Sequence, residues 1–151
     1  MLSALLVRSS RPFSQCLMEM RERKLSATLA DAQAVYSPNH LEMAAELAAK
    51  SLADGTAVSS RVEMEFLLWL GMSTHVQAAL ERVGAKDGQM AWLVLLDADA
   101  KDKDAEKLAD ELCLEKIKQK DSAINPRALV LFGVKNEDAL FEKMALCRIV
   151  N

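Results

Sequence analysis

Residues 60–84 read SRVEMEFLLWLGMSTHVQAALERVG, and this stretch decides the fold because it spells out two consecutive amphipathic helices with their boundaries. Ser60 and Glu63, a hydroxyl and a carboxylate three residues apart, predict a capping box at a helix start. Val62, Phe66, Trp69 and Leu70 recur at the i, i+4, i+7, i+8 spacing of one helical face. Gly71 is the residue that tolerates a left-handed C-cap. Ser73 predicts the cap of a second helix, whose apolar face is Val76, Ala79, Leu80 and Val83 and whose end is Gly84. The stretch therefore predicts an αα pair joined by a tight turn.

The first of these helices has more apolar surface than one sheet can cover. Met64, Leu68 and Met72 follow each other at i, i+4, i+8 outside the main face. Methionines suit adaptable contact surfaces, so this second stripe is the candidate partner-binding set. Burial of the stripe by a helix over residues 38–53 is the competing reading.

Upstream, Leu2–Val7 is a short apolar run that predicts a first strand. The first 18 residues hold Arg8, Arg11 and several serines without an acid, and so also resemble a mitochondrial presequence. Against that, Pro12 suits a helix N1 position, and Phe13, Cys16, Leu17 and Met20 make a regular face behind it. Arg21, Arg23 and Lys24 complement the dipole at that helix's end. Ala32–Tyr36 predicts a second strand. Ser37-Pro38 gives N-cap and N1 for a helix to about Ala53, with Leu41, Ala44, Ala45 and Ala48 on one face, Met43 and Leu47 beside them, and Asp54-Gly55 as its close.

Downstream, Trp92–Leu96 predicts a buried strand. Residues 97–107 alternate acids and lysines, and Ala105, Leu108, Ala109 and Leu112 lay one apolar stripe on the helix that follows. Leu112–Ile117 carries a weak alternation for a fourth strand. Asn125-Pro126 and Gly133 bracket a short helix, and Asn136 caps a last one that turns Leu140, Phe141 and Met144 inward. Together these elements predict an α/β (α+β) fold in two layers, a small mixed sheet of three to four strands packed by several helices.

A length of 151 residues fits a single domain over 1–151, with a composition near globular averages. The net charge of −3 excludes a generally basic nucleic-acid binder. Cys16, Cys113 and Cys147 lie far apart, without the close pairs of a zinc site, and are expected as buried reduced thiols. No apolar run reaches the length that spans a membrane. There is no G-x-G-x-x-G and no G-x-x-x-x-G-K-[ST], so no nucleotide cofactor is indicated. His40 and His75 are the only neutral-pH bases. The residues predict no catalytic set, no metal and no cofactor. Two alternatives stay open: a small enzyme or ligand-binding domain using His40 or His75 in a pocket between the helix pair and the sheet, and a generic protein-interaction domain.

The helix pair also resembles a family signature, E-x-L-L-x-x-x-G-x-x-x-I-x-x-A-L-x-x-x-G, with Glu65, Leu67, Leu68, Val76, Ala79, Leu80 and Gly84 at matching positions. That signature belongs to the kinase-binding subunit of the KEOPS complex, the PRPK-binding protein family. Ala32–Tyr36 with the following Pro38–Ala45, the strand Trp92–Leu96 and the phrase Leu131-Phe-Gly-Val134 extend the likeness over about two thirds of the chain. The resemblance implies a noncatalytic accessory subunit, archaeal or eukaryotic, working in the cytoplasm and in eukaryotes also the nucleus. It would bind the small atypical kinase/ATPase subunit, which holds the threonylcarbamoyl transferase subunit. It would also help recruit tRNA by its acceptor 3′ end for threonylcarbamoyladenosine modification. Where many archaeal members read G-T-R-Q-I, this chain reads Met72-Ser-Thr-His-Val76 and has lost the arginine at Thr74. Lys50, Arg61 and His75 remain as candidate tRNA contacts.

Overall fold

The computed structural model describes residues 2–97, 99–117 and 124–148. In chain order it contains β1 (Ser3–Arg8), α1 (Phe13–Glu22), β2 (Ala27–Asp31), a 3-10 turn (Ala32–Ala34), α2 (Pro38–Asp54), α3 (Val62–Leu70) and α4 (Val76–Val83). Then come β3 (Ala91–Leu95), α5 (Asp102–Glu111), β4 (Glu115–Lys116), α6 (Arg127–Phe132) and α7 (Glu137–Leu146). The strands form one sheet in the order β2-β3-β1-β4. Every pairing is antiparallel, with Leu93 of β3 opposite Leu5 on one side and Leu29 on the other.

The expected α/β class with one small sheet holds. Two details differ: the sheet is antiparallel throughout instead of mixed, and helices cover both of its faces instead of one. The cause lies in β3, which is apolar at every position and so needs cover on both sides. Its residues divide with period two. Trp92 and Val94 join a core with Leu41, Phe66, Leu70 and Leu140. Ala91 and Leu93 join the opposite core with Phe13, Met20, Leu108 and Leu112. The layer of α1 and α5 therefore sits on one face, and the layer holding α2, α3 and α7 on the other.

Several boundaries follow the sequence closely. The Ser37 hydroxyl accepts from the His40 N–H at 3.3 Å, Gly55 closes α2 at φ +75°, and Asn136 accepts from the Ala139 N–H at 2.8 Å. Gly133 takes φ +68° after α6, and the first strand and helix form where expected.

Other boundaries are corrected. The second strand is Ala27–Asp31, not Ala32–Tyr36, because the Asp31 carboxylate accepts from the Gln33 N–H at 3.0 Å and turns the chain into a 3-10 turn. The Ser60–Glu63 capping box does not form: Arg61 takes the N-cap position and its side chain pairs with Glu63. Gly71 is right-handed at φ −84°, and the left-handed residue is Met72 at φ +52°. What Gly71 supplies is room, since a Cβ there would stand 3.4 Å from the Ala79 Cα. Ser73 accepts from the His75 N–H at 3.0 Å in the turn before α4 and does not cap the helix. Of the thiols only Cys16 is buried; Cys113 is exposed, in the left-handed turn that ends α5, and Cys147 is half-buried. Ala98 in the alternating charged run lies outside the described residues. Among the described residues no helix is long and apolar enough to cross a membrane.

Candidate functional site

Every residue of α3 from Glu65 to Leu70 is buried, because the helix packs against α2, α4 and β2 at once. Leu68 is 0% exposed. Met64, Leu68 and Met72 are therefore not one surface stripe; Leu68 is interior, and only the half-buried Met64 and Met72 reach the outside. Trp69 and Leu70 are core, as their shared face with Phe66 predicts.

At the middle of this buried helix sits a carboxylate. Glu65 accepts from the Ser51 hydroxyl at 2.6 Å, the Val58 and Ser59 amides at 3.1 Å each, the Trp69 indole at 3.2 Å and the Arg148 guanidinium at 2.6 Å. Burial alone would raise its carboxyl. The bonds from Arg148, Ser51 and Ser59 outweigh burial and hold it below the usual carboxylate range. Arg148 also stacks 4.0 Å above the Trp69 ring. The signature glutamate is thus a structural knot that ties α2, the loop before α3 and the end of α7 together.

The histidines separate. His40 is fully buried, its Nδ1 accepts from the Tyr36 N–H at 3.0 Å, and its ring meets Phe132 edge-on. Burial pushes it down to about 4. A sealed, neutral imidazole cannot reach a substrate, so His40 serves α2's start and not an active pocket. His75 is exposed immediately before α4 and not between the helix pair and the sheet. A hollow of about 320 Å³ beside α2 is lined by Leu2, Val62 and Leu96 and rimmed by Glu42 and Glu46, with neither histidine in it.

α4 differs from its predecessor. Ala79 and Val83 are buried, whereas Val76 and Leu80 are 41% and 42% exposed. The sequence assigns all four to the core. The surplus of apolar surface it reveals is real, but it falls on α4 and not on the Leu68 stripe. Beside Leu80 a groove of about 150 Å³ opens between Leu17 and Leu25 on one wall and Met64 and Leu67 on the other, floored by Ala27 and Thr28 of β2. It continues into a hollow of about 250 Å³ lined by Arg21, Lys24, Ser26, Arg61 and Glu63.

The three candidate tRNA contacts are not gathered into one cluster. Lys50 is exposed near the end of α2, and Arg61 is exposed at the start of α3, in a hollow that does not include Lys50. His75 lies past the other end of α3, whose rise of about 1.5 Å per residue puts it more than 10 Å from Arg61. The structure joins Arg61 instead to Arg21 and Lys24, a grouping that sequence distance concealed.

Residues 7–143 match the family model described as Kinase binding protein CGI-121. Among curated proteins the chain has no match.

Proposed function

Because the chain belongs to the CGI-121 kinase-binding protein family, we propose that it is a noncatalytic accessory subunit of the KEOPS complex, docking the small atypical kinase/ATPase subunit on α4. The observation that carries this reading is the uncovered half of α4. Val76 and Leu80 stand one turn apart and exposed, with half-buried Met64 across the groove. Aliphatic side chains that share a helix face and lack cover mark a protein partner more than they mark solvent. Through the kinase the subunit reaches the threonylcarbamoyl transferase subunit.

The test is a double variant, Val76→Ser with Leu80→Ser, in a pull-down with the kinase. Both positions are exposed, so the melt should stay within about 2 °C of wild type. Kinase affinity should fall at least about 10-fold, as for central residues of an interface. Undiminished binding by the folded variant removes α4 as the docking helix.

Within this role the subunit helps recruit tRNA through its acceptor 3′ end for threonylcarbamoyladenosine formation, with Lys50, Arg61 and His75 meeting phosphates from two sides of α3. Replacing all three by alanine should weaken tRNA retention by the assembled complex and flatten its salt dependence. Unchanged retention would remove these residues while leaving the kinase contact standing. The isolated chain is expected to hydrolyse no ATP and transfer no threonylcarbamoyl group, a point that a turnover assay on the purified chain decides.

A further inference from the structure

β2 is an edge strand, first in the sheet order; its residues are all buried, Ala27 at 5% exposed being the most open of its apolar ones, and an isolated antiparallel bridge links the stretch around Ala30 to Gly84. The direction of its backbone groups follows from its neighbours. The Leu96 N–H donates to the Ser26 carbonyl at 2.7 Å and the Ala32 N–H to the Met90 carbonyl at 3.2 Å. With Thr28 opposite Val94, residues 26, 28, 30 and 32 turn their amides toward β3. Ala27 and Leu29 therefore turn theirs outward, Ala27 into the groove it floors.

That groove is apolar along its walls and cationic at one end. Leu17 and Leu25 flank it on the α1 side, Met64 and Leu80 on the helix-pair side. At the start of β2 it meets Arg21, Lys24 and Arg61, three cations against the single carboxylate of Glu63. Arg21 and Lys24 form no salt bridge among the described residues. Lys24 adopts φ +56° at the position after α1 where glycine is the relaxed choice, so a charged side chain stands there against the backbone's preference.

We propose that this groove binds the C-terminal end of an extended polypeptide, antiparallel to β2, with its terminal carboxylate among Arg21, Lys24 and Arg61. The outward N–H and C=O of Ala27 supply main-chain hydrogen bonds, as in other strand-addition sites. The guanidinium and ammonium groups supply charge-assisted ones to the carboxylate. Side chains of an extended peptide alternate, so the last two meet opposite walls, and both walls select aliphatic residues. From Ser26 to the closing bridge at Ala30 the strand covers about 13 Å, room for three or four peptide residues. A nucleic-acid strand fits less well because no aromatic side chain lines either hollow to stack a base. The site borders the kinase and tRNA readings, sharing Met64 and Leu80 with the first and Arg61 with the second, but peptide binding is assayed with neither partner present.

The experiment uses the full chain and an array of fluorescent hexapeptides carrying every pair of Ala, Val, Leu, Ile, Met and Phe at the last two positions, each with a free carboxylate and as the amide. Fluorescence polarisation should find aliphatic pairs bound with Kd below about 100 µM, with their amides at least 10-fold weaker. Arg21→Glu with Lys24→Glu, two exposed positions, should abolish that difference, and Leu17→Glu should abolish binding, while circular dichroism reports an intact fold for both. Absence of binding across the array, equal binding of acid and amide, or insensitivity to the two cation substitutions overturns the proposal. Binding of a short single-stranded RNA in place of every peptide, lost in the same cation variant, assigns the groove to nucleic acid and overturns it too.

Discussion

α3 and α4 follow each other in the chain, each carry an apolar face at helical spacing and both end at glycine, yet one is enclosed and the other half open. α3 is wedged between α2, β2 and α4, whereas α4 leans chiefly on α3. Periodicity tells which residues share a face. Cover depends on how many neighbours arrive, and those come from distant sequence. Gly84 shows the same point at the end of α4, where a Cβ would overlap the Leu80 carbonyl oxygen, so the glycine is needed for the chain to pass close by.

The sharpest way to break the comparison is the same substitution in each helix. Leu68→Glu puts a carboxylate in a sealed interior and should cost at least about 4 kcal/mol, enough to abolish a cooperative melt, while Leu80→Glu should stay within about 1 kcal/mol of wild type. Equal tolerance in urea denaturation would erase the distinction. Next in size, Glu65→Gln leaves the Arg148 guanidinium buried without its counter-charge and should cost about 3–5 kcal/mol. Adding Arg148→Met should recover part of that loss, and a double-mutant cycle that shows strict additivity would contradict the knot.

Acid probes the covered side alone. His40 has a folded value of about 4, below the ordinary 6.5, so above pH 6.5 it is neutral whether the chain is folded or not. Between 6.5 and 4 the unfolded chain takes up a proton that the folded chain refuses. Stability should fall across that window by up to roughly 3 kcal/mol, and this contribution levels off below it. Urea midpoints at pH 7, 5.5 and 4.5 should show the slope in wild type and in the Val76→Ser, Leu80→Ser variant alike, and His40→Gln should flatten it. A slope that vanishes with the α4 substitutions would mean the acid-sensitive group lies on the open helix. The smallest effect is at the hinge between the helices. Met72 holds φ +52°, so Met72→Gly should be about 1 kcal/mol more stable than Met72→Ala, the reverse of their order inside a helix. Thermal melts of the pair decide it.

Capped and local features were legible. Ser37-Pro38, Gly55, Gly133 and Asn136 each act through bonds or dihedrals confined to a few residues, and the chain uses them as written. β2 was not legible, because Ala27-Thr-Leu-Ala-Asp31 has weaker strand propensity than the neighbouring AQAVY and is a strand only through its register with β3. The cap at Ser60 failed because Glu63 found a guanidinium two residues away. At the site, the surplus of apolar residues was visible but its owner was not, and the assembly of Arg21, Lys24 and Arg61 joins the end of one helix to the start of another 40 residues on. The Met72 position shows the converse. The family pattern carries glycine there, and the left-handed turn gives that glycine its reason even though this chain departs from it.

The Glu65 knot also sets an order of events on the ribosome. The carboxylate and its Arg148 partner are 83 residues apart. At about 5–20 residues per second, α3 leaves the peptidyl-transferase centre roughly 4–17 s before the cation that neutralises it. During that interval a nascent chain that closed its interior would enclose an unmatched negative charge. Completion of the helical layer therefore waits until Arg148 has been made, and the chain spends those seconds with its most apolar helix available to chaperones.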